Sequence, residues 1–592
     1  MFRSVRAGTV AIAALLSIFT AFLVAGAPAA LAATTVSING TVTASDPAQS
    51  GRLFRDGTAS TCAHPKSGAA LYNGDGTTQY HYDAYTFVGT PGTCVTATLT
   101  VTSGGADQGF LTGYSTFNPA AITAGYLADS GLSTNISNPP ATISFLLPSS
   151  GSVVLVVSDV NPSSVDVPYT LTVSGAQLPT PTIRTTPSAG VNAGGRVSDT
   201  ASVTGGNAPS GAVTFKLFGP ADTTCTGTPV FTNDGTLAAG SASSGNYRPT
   251  VAGTYHWTAT YNGDTRNNPV SSGCADEPVT ISAAGLDHLV LSPASASIPF
   301  GTSQAYTAEG FDQFGNDRGP VSGVTYSIDG AGTCTGNACT GPPGSYTVTG
   351  TKNGKTGTAS LTVTKAATTT TLSASNPNPG VNEPVTFTAT VTPQTGTVTP
   401  TGTVSFFIDG SSTPAAVVPV DSSGHAAFTT TFGGGSHSVV AVYSGDGNYQ
   451  PSTSAPATTV NVACDQTITG THGSLIVTHG TTCVSGATIT GGISVAKGAT
   501  LDIENSTVQG SITASKPNAV RICGSTTGSI NVTGATGPVL IGDPTNNCPP
   551  NTIKGSILAV DNTGGLHIID NTVTGTVTAH DNPGAVITGN HH

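Results

Sequence analysis

Along most of the chain, short runs of Val, Ile, Thr, Tyr and Phe alternate with polar residues. Gly, Pro, Asn and Asp punctuate these runs at roughly eight- to twelve-residue intervals. A period of two sends successive side chains to opposite faces, so the pattern predicts short half-buried strands joined by turns, and not helices. In a first block, 33–176, Tyr82-Asp83-Ala84-Tyr85-Thr86-Phe87, Cys94-Val95-Thr96-Ala97-Thr98-Leu99 and Tyr169-Thr170-Leu171-Thr172-Val173 are such strands.

Two later blocks, 180–282 and 366–462, are copies of one design. Pro209-Ser210-Gly211-Ala212-Val213-Thr214-Phe215 matches Pro400-Thr401-Gly402-Thr403-Val404-Ser405-Phe406. Further on, Ala259-Thr260-Tyr261-Asn262-Gly263-Asp264 matches Ala441-Val442-Tyr443-Ser444-Gly445-Asp446. Each copy reads as a turn, an alternating strand, and a late strand ending in a tight Gly-Asp turn. Between them, 284–365 opens on Leu286-Asp287-His288-Leu289-Val290-Leu291 and closes on Ala359-Ser360-Leu361-Thr362-Val363.

The last block, 463–592, has another rhythm. Glycines 491, 510, 528, 555 and 575 follow the phrases Thr-Ile-Thr, Thr-Val-Gln, Thr-Thr, Thr-Ile-Lys and Thr-Val-Thr at intervals of 19, 18, 27 and 20 residues. The long interval holds an insertion around Asp543-Pro544-Thr545-Asn546-Asn547-Cys548. A repeat near twenty residues with β-branched positions and Asn/Gly turns predicts a parallel β-helix, with Ile493, Val495, Ile512, Ile530, Val532 and Val577 stacked inward. The fold class expected is therefore all-β: serial β-sandwiches, jelly-roll-like and immunoglobulin-like, followed by a parallel β-helix or solenoid.

Composition sharpens this picture at the N-terminus. Arg3 and Arg6, an apolar stretch from Ala7 to about Ala25, and Ala30-Leu31-Ala32 together form a secretory signal peptide, 1–32. No later stretch is apolar for long enough to span a bilayer as a helix. The net charge of −12 becomes −14 once Arg3 and Arg6 are removed. With no basic stripe to neutralise phosphates, a nucleic-acid partner is not expected. Ten cysteines fall in even sets, Cys62 and Cys94, Cys225 and Cys274, Cys334 and Cys339, then Cys464, Cys483, Cys523 and Cys548, which in an exported chain predicts disulfides within each block. The pairing within the last set is left open.

The Tyr-x-Tyr-x-Phe strand, the Thr-rich strand after it and the closing Tyr-Thr-Leu-Thr-Val strand of the first block resemble the bacterial pre-peptidase C-terminal type of sandwich. The Pro-Thr-Gly-Thr-Val-Ser-Phe and Tyr-Ser-Gly-Asp phrases resemble bacterial immunoglobulin-like repeats. The segment Tyr306–Asn316 is similar to a further immunoglobulin-like type. Taken together the chain resembles a secreted bacterial multidomain protein of actinobacterial type, and the resemblance implies an extracellular or envelope-associated scaffold.

Candidate chemistry changes this little. Gly350-Thr351-Lys352-Asn353-Gly354-Lys355-Thr356 is one residue short of a phosphate loop and runs into a strand, so a hairpin turning at Asn353-Gly354 is expected. No His-Glu-x-x-His and no Gly-x-Ser-x-Gly elbow occurs, and no catalytic or metal-ligating residue is assigned. No cofactor is expected; calcium at Asp312, Asn316 and Asp317, or at Asp75, is the one alternative left open, against plain turns. Trp257 is read as core rather than as a sugar platform. In the last block the acids are Asp465, Asp502, Glu504, Asp543, Asp561, Asp570 and Asp581, and the bases Lys497, Lys516, Arg521 and Lys554 are spread among them. Asp561-Asn562 and Asp581-Asn582 lie one repeat apart and read as stacked turns.

The function expected is a non-enzymatic extracellular or cell-surface scaffold that binds glycan or a cell-surface protein. Self-association through the β-helix end, where Val586-Ile587-Thr588-Gly589-Asn590 begins another rung, is a further expectation. The alternative is a secreted carbohydrate-active enzyme, a polysaccharide lyase or hydrolase, with a catalytic β-helix. That reading requires the acids to converge in one groove.

Overall fold

A computed structural model describes residues 35–592 except Asp75, 104–107 and 163–165. The expected signal peptide and the calcium alternative at Asp75 lie outside the described residues. The chain is all-β: two single 3-10 turns, Tyr72–Gly74 and Pro544–Asn546, interrupt strands, and no α-helix occurs among the described residues. No described helix is long and apolar enough to cross a membrane. The described residues fall into two compact units, divided between Ala284 and Gly285.

In the first unit a four-stranded sheet (Val36–Val42, Val167–Ser174, Cys94–Val101, Ala141–Leu146) faces a five-stranded one (Ala48–Ser50, Gln79–Val88, Ser152–Asp159, Gly109–Tyr114, Tyr126–Asp129). Alternate residues Tyr85 and Phe87, Val95, Ala97 and Leu99, and Leu171 and Val173 meet between the sheets. After it, Ala212–Phe218 and Gly253–Tyr261 form the centre of a second sandwich over Trp257, which is fully buried with Phe231 edge-on at 5.9 Å.

The second unit opens with small sheets around Leu289, Leu291, Tyr306 and Val348, where Gly344–Lys352 and Lys355–Thr364 pair as a hairpin across Asn353-Gly354. The next sandwich repeats the register of its earlier copy. Val404 faces Tyr443 and Phe406 faces Ala441, as Val213 faces Tyr261 and Phe215 faces Ala259.

Within each of these two sandwiches the early and late repeated phrases touch. Asp264 Oδ2 accepts from the Ser210 N–H at 2.8 Å, and Asp446 Oδ2 accepts from the Thr401 N–H at 2.7 Å and its hydroxyl at 2.8 Å. The late Gly-Asp turn thus holds the start of the early strand, which explains why both phrases recur together. Burial opposes ionisation of Asp446, yet the N–H groups of Thr401, Asn448 and Tyr449 hold its carboxyl below the usual range.

The final segment is a solenoid of three parallel sheets with seven, six and six strands. Its core is aliphatic, from Ile468 through Ile489, Ile512, Ile530 and Ile557 to Val573, with fully buried Thr527 in the column between Val508 and Ile553. The recurring glycines stand where one rung meets the next. A Cβ on Gly510 would lie 2.6 Å from the Gly491 carbonyl carbon, and one on Gly528 would lie 2.5 Å from the Gly510 oxygen. Buried Asn551 and Asn571 and half-buried Asn590 stack at one turn; Asn571 donates to the Ile541 carbonyl at 2.7 Å and accepts from the Asn551 backbone at 3.0 Å.

Five disulfides join Cys62 to Cys94, Cys225 to Cys274, Cys334 to Cys339, Cys464 to Cys483 and Cys523 to Cys548. Each bridge closes within one sandwich or solenoid segment, apart from Cys464–Cys483, which ties the linker after Thr458–Val462 to the second rung. They fit an oxidising, extracellular setting.

Two outcomes follow. Asp446→Ala should lower the stability of its sandwich by about 1–3 kcal/mol, because charge-assisted hydrogen bonds to Thr401 are lost; thermal unfolding at neutral pH measures it. Asp199, buried with Oδ2 unpartnered, is pushed up to about 6 by burial, against the opposing N–H of Thr200. A raised carboxyl favours the folded state below its unfolded value near 3.8, and that contribution is lost as pH rises through about 6. Asp199→Asn should therefore raise stability at pH 7.5 by on the order of 2 kcal/mol and flatten the pH profile between 4 and 7.

Candidate functional surfaces

The acids of the solenoid are the residues on which the catalytic alternative depends, and they do not share a groove. Asp561, Asp570 and Asp581 occupy turns with φ of 54°, 58° and 60°. Asp465 accepts from the Thr481 N–H at 2.7 Å. Asp543 caps the turn of the insertion, accepting from the Thr545 N–H at 3.0 Å and the Asn546 amide at 2.7 Å, with His567 at 2.7 Å. Burial opposes ionisation of Asp543, and these partners together hold it below the carboxylate range.

Asp502 and Glu504 are different. In the register of the seven-stranded sheet, Cys483, Asp502, Arg521 and Leu540 form one outward column. An outward column of a solenoid is ordinarily wet, yet all four residues are buried. The loop between His425–Thr430 and Gly435–Tyr443 covers Cys483, Asp502 and Arg521, and the Cys523–Cys548 bridge packs on Leu540. Arg521 has no exposed side-chain surface; it pairs with Glu504, lies 3.2 Å from Asp502 and donates to the Asn547 carbonyl at 2.7 Å. Asp502 in turn accepts from the Gly434 N–H at 2.6 Å. Burial pushes the Asp502 carboxyl up, and the Arg521 guanidinium opposes it. Gly433 and Gly434 are required because a Cβ would run into Arg521 and Glu504 in one case and into the Cys464–Cys483 sulfurs in the other. The insertion joins the same junction, its Asn546 carbonyl accepting from the Thr431 hydroxyl at 3.2 Å. This cluster fastens the solenoid to the sandwich before it and offers no room for a substrate. Sequence reading left Arg521 unassigned; the Phe432-Gly433-Gly434-Gly435 run was the available sign of a close approach.

A second outward column remains open. Thr471, Thr488, Thr507, Thr526, Thr552 and Thr572 occupy matching positions on six successive rungs, half-buried to exposed. They form a column of hydroxyls at the roughly 4.8 Å strand spacing, with exposed Lys554 beside it on the same side. No Phe, Tyr or Trp lies between 463 and 592, so the solenoid has no ring on which a sugar could stack.

Elsewhere, a depression lined by Phe300, Thr302, Thr333, Thr340 and Pro342 contains no titratable side chain. Asp312 is buried and accepts from the N–H groups of Phe314 at 2.8 Å and Asn316 at 2.9 Å, so its carboxylate serves a turn. No group of three or more His, Cys, Asp or Glu is placed to hold a metal ion among the described residues.

Comparison with known proteins places one stretch. Residues 372–463 match the family described as Bacterial Ig-like domain (group 3). No curated protein matches the chain. Solved structures with detectable likeness include the ICAM-5 D1-D4 ectodomain fragment, 14% identical with a TM-score of 0.22, covering 53% of this chain and 87% of that one. The chicken CNTN1 FN1-FN3 domains are 11% identical with a TM-score of 0.18, and cover 48% and 99%. The I9-I11 tandem from titin is 13% identical with a TM-score of 0.17, covering 48% and 99%. At these scores the fold is read from the strands themselves.

Removing one partner of the buried cluster leaves a charge without compensation, at a cost of about 3–5 kcal/mol. Arg521→Leu should therefore speed hydrogen exchange across Ala519–Cys523 and in the Gly433–Gly435 loop together. Adding Asp502→Leu to it should restore most of the protection.

Proposed function

We propose that this protein is a non-enzymatic extracellular scaffold whose solenoid follows a series of sandwiches along the chain and uses the threonine face to grip a protein partner on a cell surface. In this reading residues 1–32 direct export. The first sandwich, 33–176, is of the pre-peptidase C-terminal type, and 180–282, 284–365 and 366–462 are immunoglobulin-like spacers. The observation that carries the proposal is the contrast between the two outward columns of the solenoid. One is consumed by the Arg521 junction, which removes the inter-module freedom that would blur the position of a binding surface. The other is a regular column of hydroxyls, and its backbone-like spacing suits a protein surface better than a sugar ring, which calls for an aromatic platform.

Full-length protein coated on a surface, challenged with cells of the source culture before and after protease treatment, tests this. The expected result is retention that protease treatment of the cells abolishes and that Thr488→Lys with Thr526→Lys reduces at least tenfold, with the thermal transition unchanged. Equal retention by the variant, or release of reducing ends from a polysaccharide panel, would overturn it.

A further inference from the structure

A separate cluster in the first sandwich points to covalent chemistry. Between Ser50 and Gln79 the chain runs irregularly over the edge strand Tyr126–Asp129, with Ser60 and Asp129 exchanging backbone and hydroxyl hydrogen bonds at 2.9 and 3.0 Å. From that irregular segment Lys66 turns inward. Its Nζ lies 2.6 Å from Asp129 Oδ1 and 2.7 Å from Asp56 Oδ1. The side chains of Lys66 and Asp129 are only 15% and 5% exposed, whereas Asp56 is 44% exposed. Asp129 is held by further donors: Oδ1 also accepts from the Gly131 N–H at 2.7 Å, and Oδ2 accepts from the Tyr126 hydroxyl at 2.5 Å.

A surface ion pair needs none of this. One amine is held against one carboxyl, the carboxyl oxygens sit among fixed donors, and a second carboxylate touches the amine nitrogen. We infer that Lys66 and Asp129 condense into an intramolecular amide that staples the 51–78 segment to the sheet edge, with Asp56 carrying the proton.

The step balances without a co-reactant. Proton transfer within the pair leaves a neutral amine and a carboxylic acid, and the Nζ lone pair adds to Asp129 Cγ to form the N–C bond. The Tyr126 O–H stabilises Oδ2 as the oxyanion of the tetrahedral intermediate, and Oδ1, beside Nζ and held by the Gly131 N–H, is the oxygen that departs. Asp56 takes a proton from Nζ and delivers it to the departing oxygen; the C–O bond breaks and water leaves. Ammonium and carboxylate have become an amide and one water. The Lys66 hydrogen bond, helped by the Thr58 N–H, keeps Asp56 below the ordinary carboxylate range, so it meets Nζ ionised and able to take up a proton in passing. Holding the two groups in contact supplies an effective concentration of roughly 10⁵ M or more, which drives a condensation that dilute water would reverse. Conversion also removes two poorly solvated charges.

Peptide mapping of the full-length protein, reduced and alkylated to open Cys62–Cys94, tests the inference. Trypsin has no Lys or Arg to cut between Lys66 and Arg184, so chymotrypsin is added to separate the two segments; expected is a branched peptide joining the Lys66 and Asp129 segments, lighter than their sum by one water, with no tryptic cleavage after Lys66. Lys66→Arg, which keeps the cation, should abolish it. Asp129→Asn should give the same branched peptide with ammonia lost in place of water. Asp56→Ala should reduce its yield at least tenfold at a fixed time after folding. Recovery of the two segments only as separate peptides from folded wild-type protein would overturn the cross-link. Full yield in Asp56→Ala would overturn the role given to that carboxylate.

Discussion

Strand alternation is the constraint under which every part of this molecule is built. A β-strand sends half its side chains to each face, so a dry face exists only where another layer covers it. In the sandwiches the cover is a second sheet, and the aromatic residues Phe87, Phe215, Trp257, Phe406 and Tyr443 span the gap. In the solenoid the cover is the opposite wall of the same coil. The bore is narrow, so Ile, Val, Leu and Ala fill it without aromatic help. Rung-to-rung stacking then brings backbone against backbone, and glycine recurs where a Cβ has no space.

A chain with 8% charged residues places few of them inside, which makes the buried ones informative. Arg521, Asp502 and Glu504 lie beneath the Gly433–Gly434 loop, and Lys66 with Asp129 lies beneath the irregular crossing before Gln79. Both clusters occur where a segment without regular pairing must be held against a sheet. Hydrophobic contact alone is non-directional and would leave such a segment free to slide, whereas a charge with several fixed donors defines one position. The same logic on a smaller scale ties Asp264 to Ser210 and Asp446 to Thr401.

These attachments bear on function through geometry. A binding face is useful when its position is defined relative to the modules that carry it, since ordering a mobile face on binding costs affinity. The junction at Arg521 defines the solenoid relative to the sandwich that carries the Gly433–Gly434 loop, and the threonine column lies on another sheet of the same coil.

How much of this was legible beforehand follows from the range of each interaction. The alternating runs, the twinned Pro-Ser/Thr-Gly and Gly-Asp phrases and the near-twenty-residue glycine period are local or repeating patterns, and they determined the all-β class, the two copies and the solenoid without reference to any contact. The acids of the last block were visible too, but their roles were not. Asp502 meets a glycine 68 residues earlier, and Lys66 meets an aspartate 63 residues later. Nothing within a strand encodes which remote loop will cover it. That is decided when faces pack, because the same outward position is solvated in one column, as at Thr507, and sealed in another, as at Arg521. The sequence by itself determined the elements and their periods; only the tertiary structure decided which charges would be shut away together.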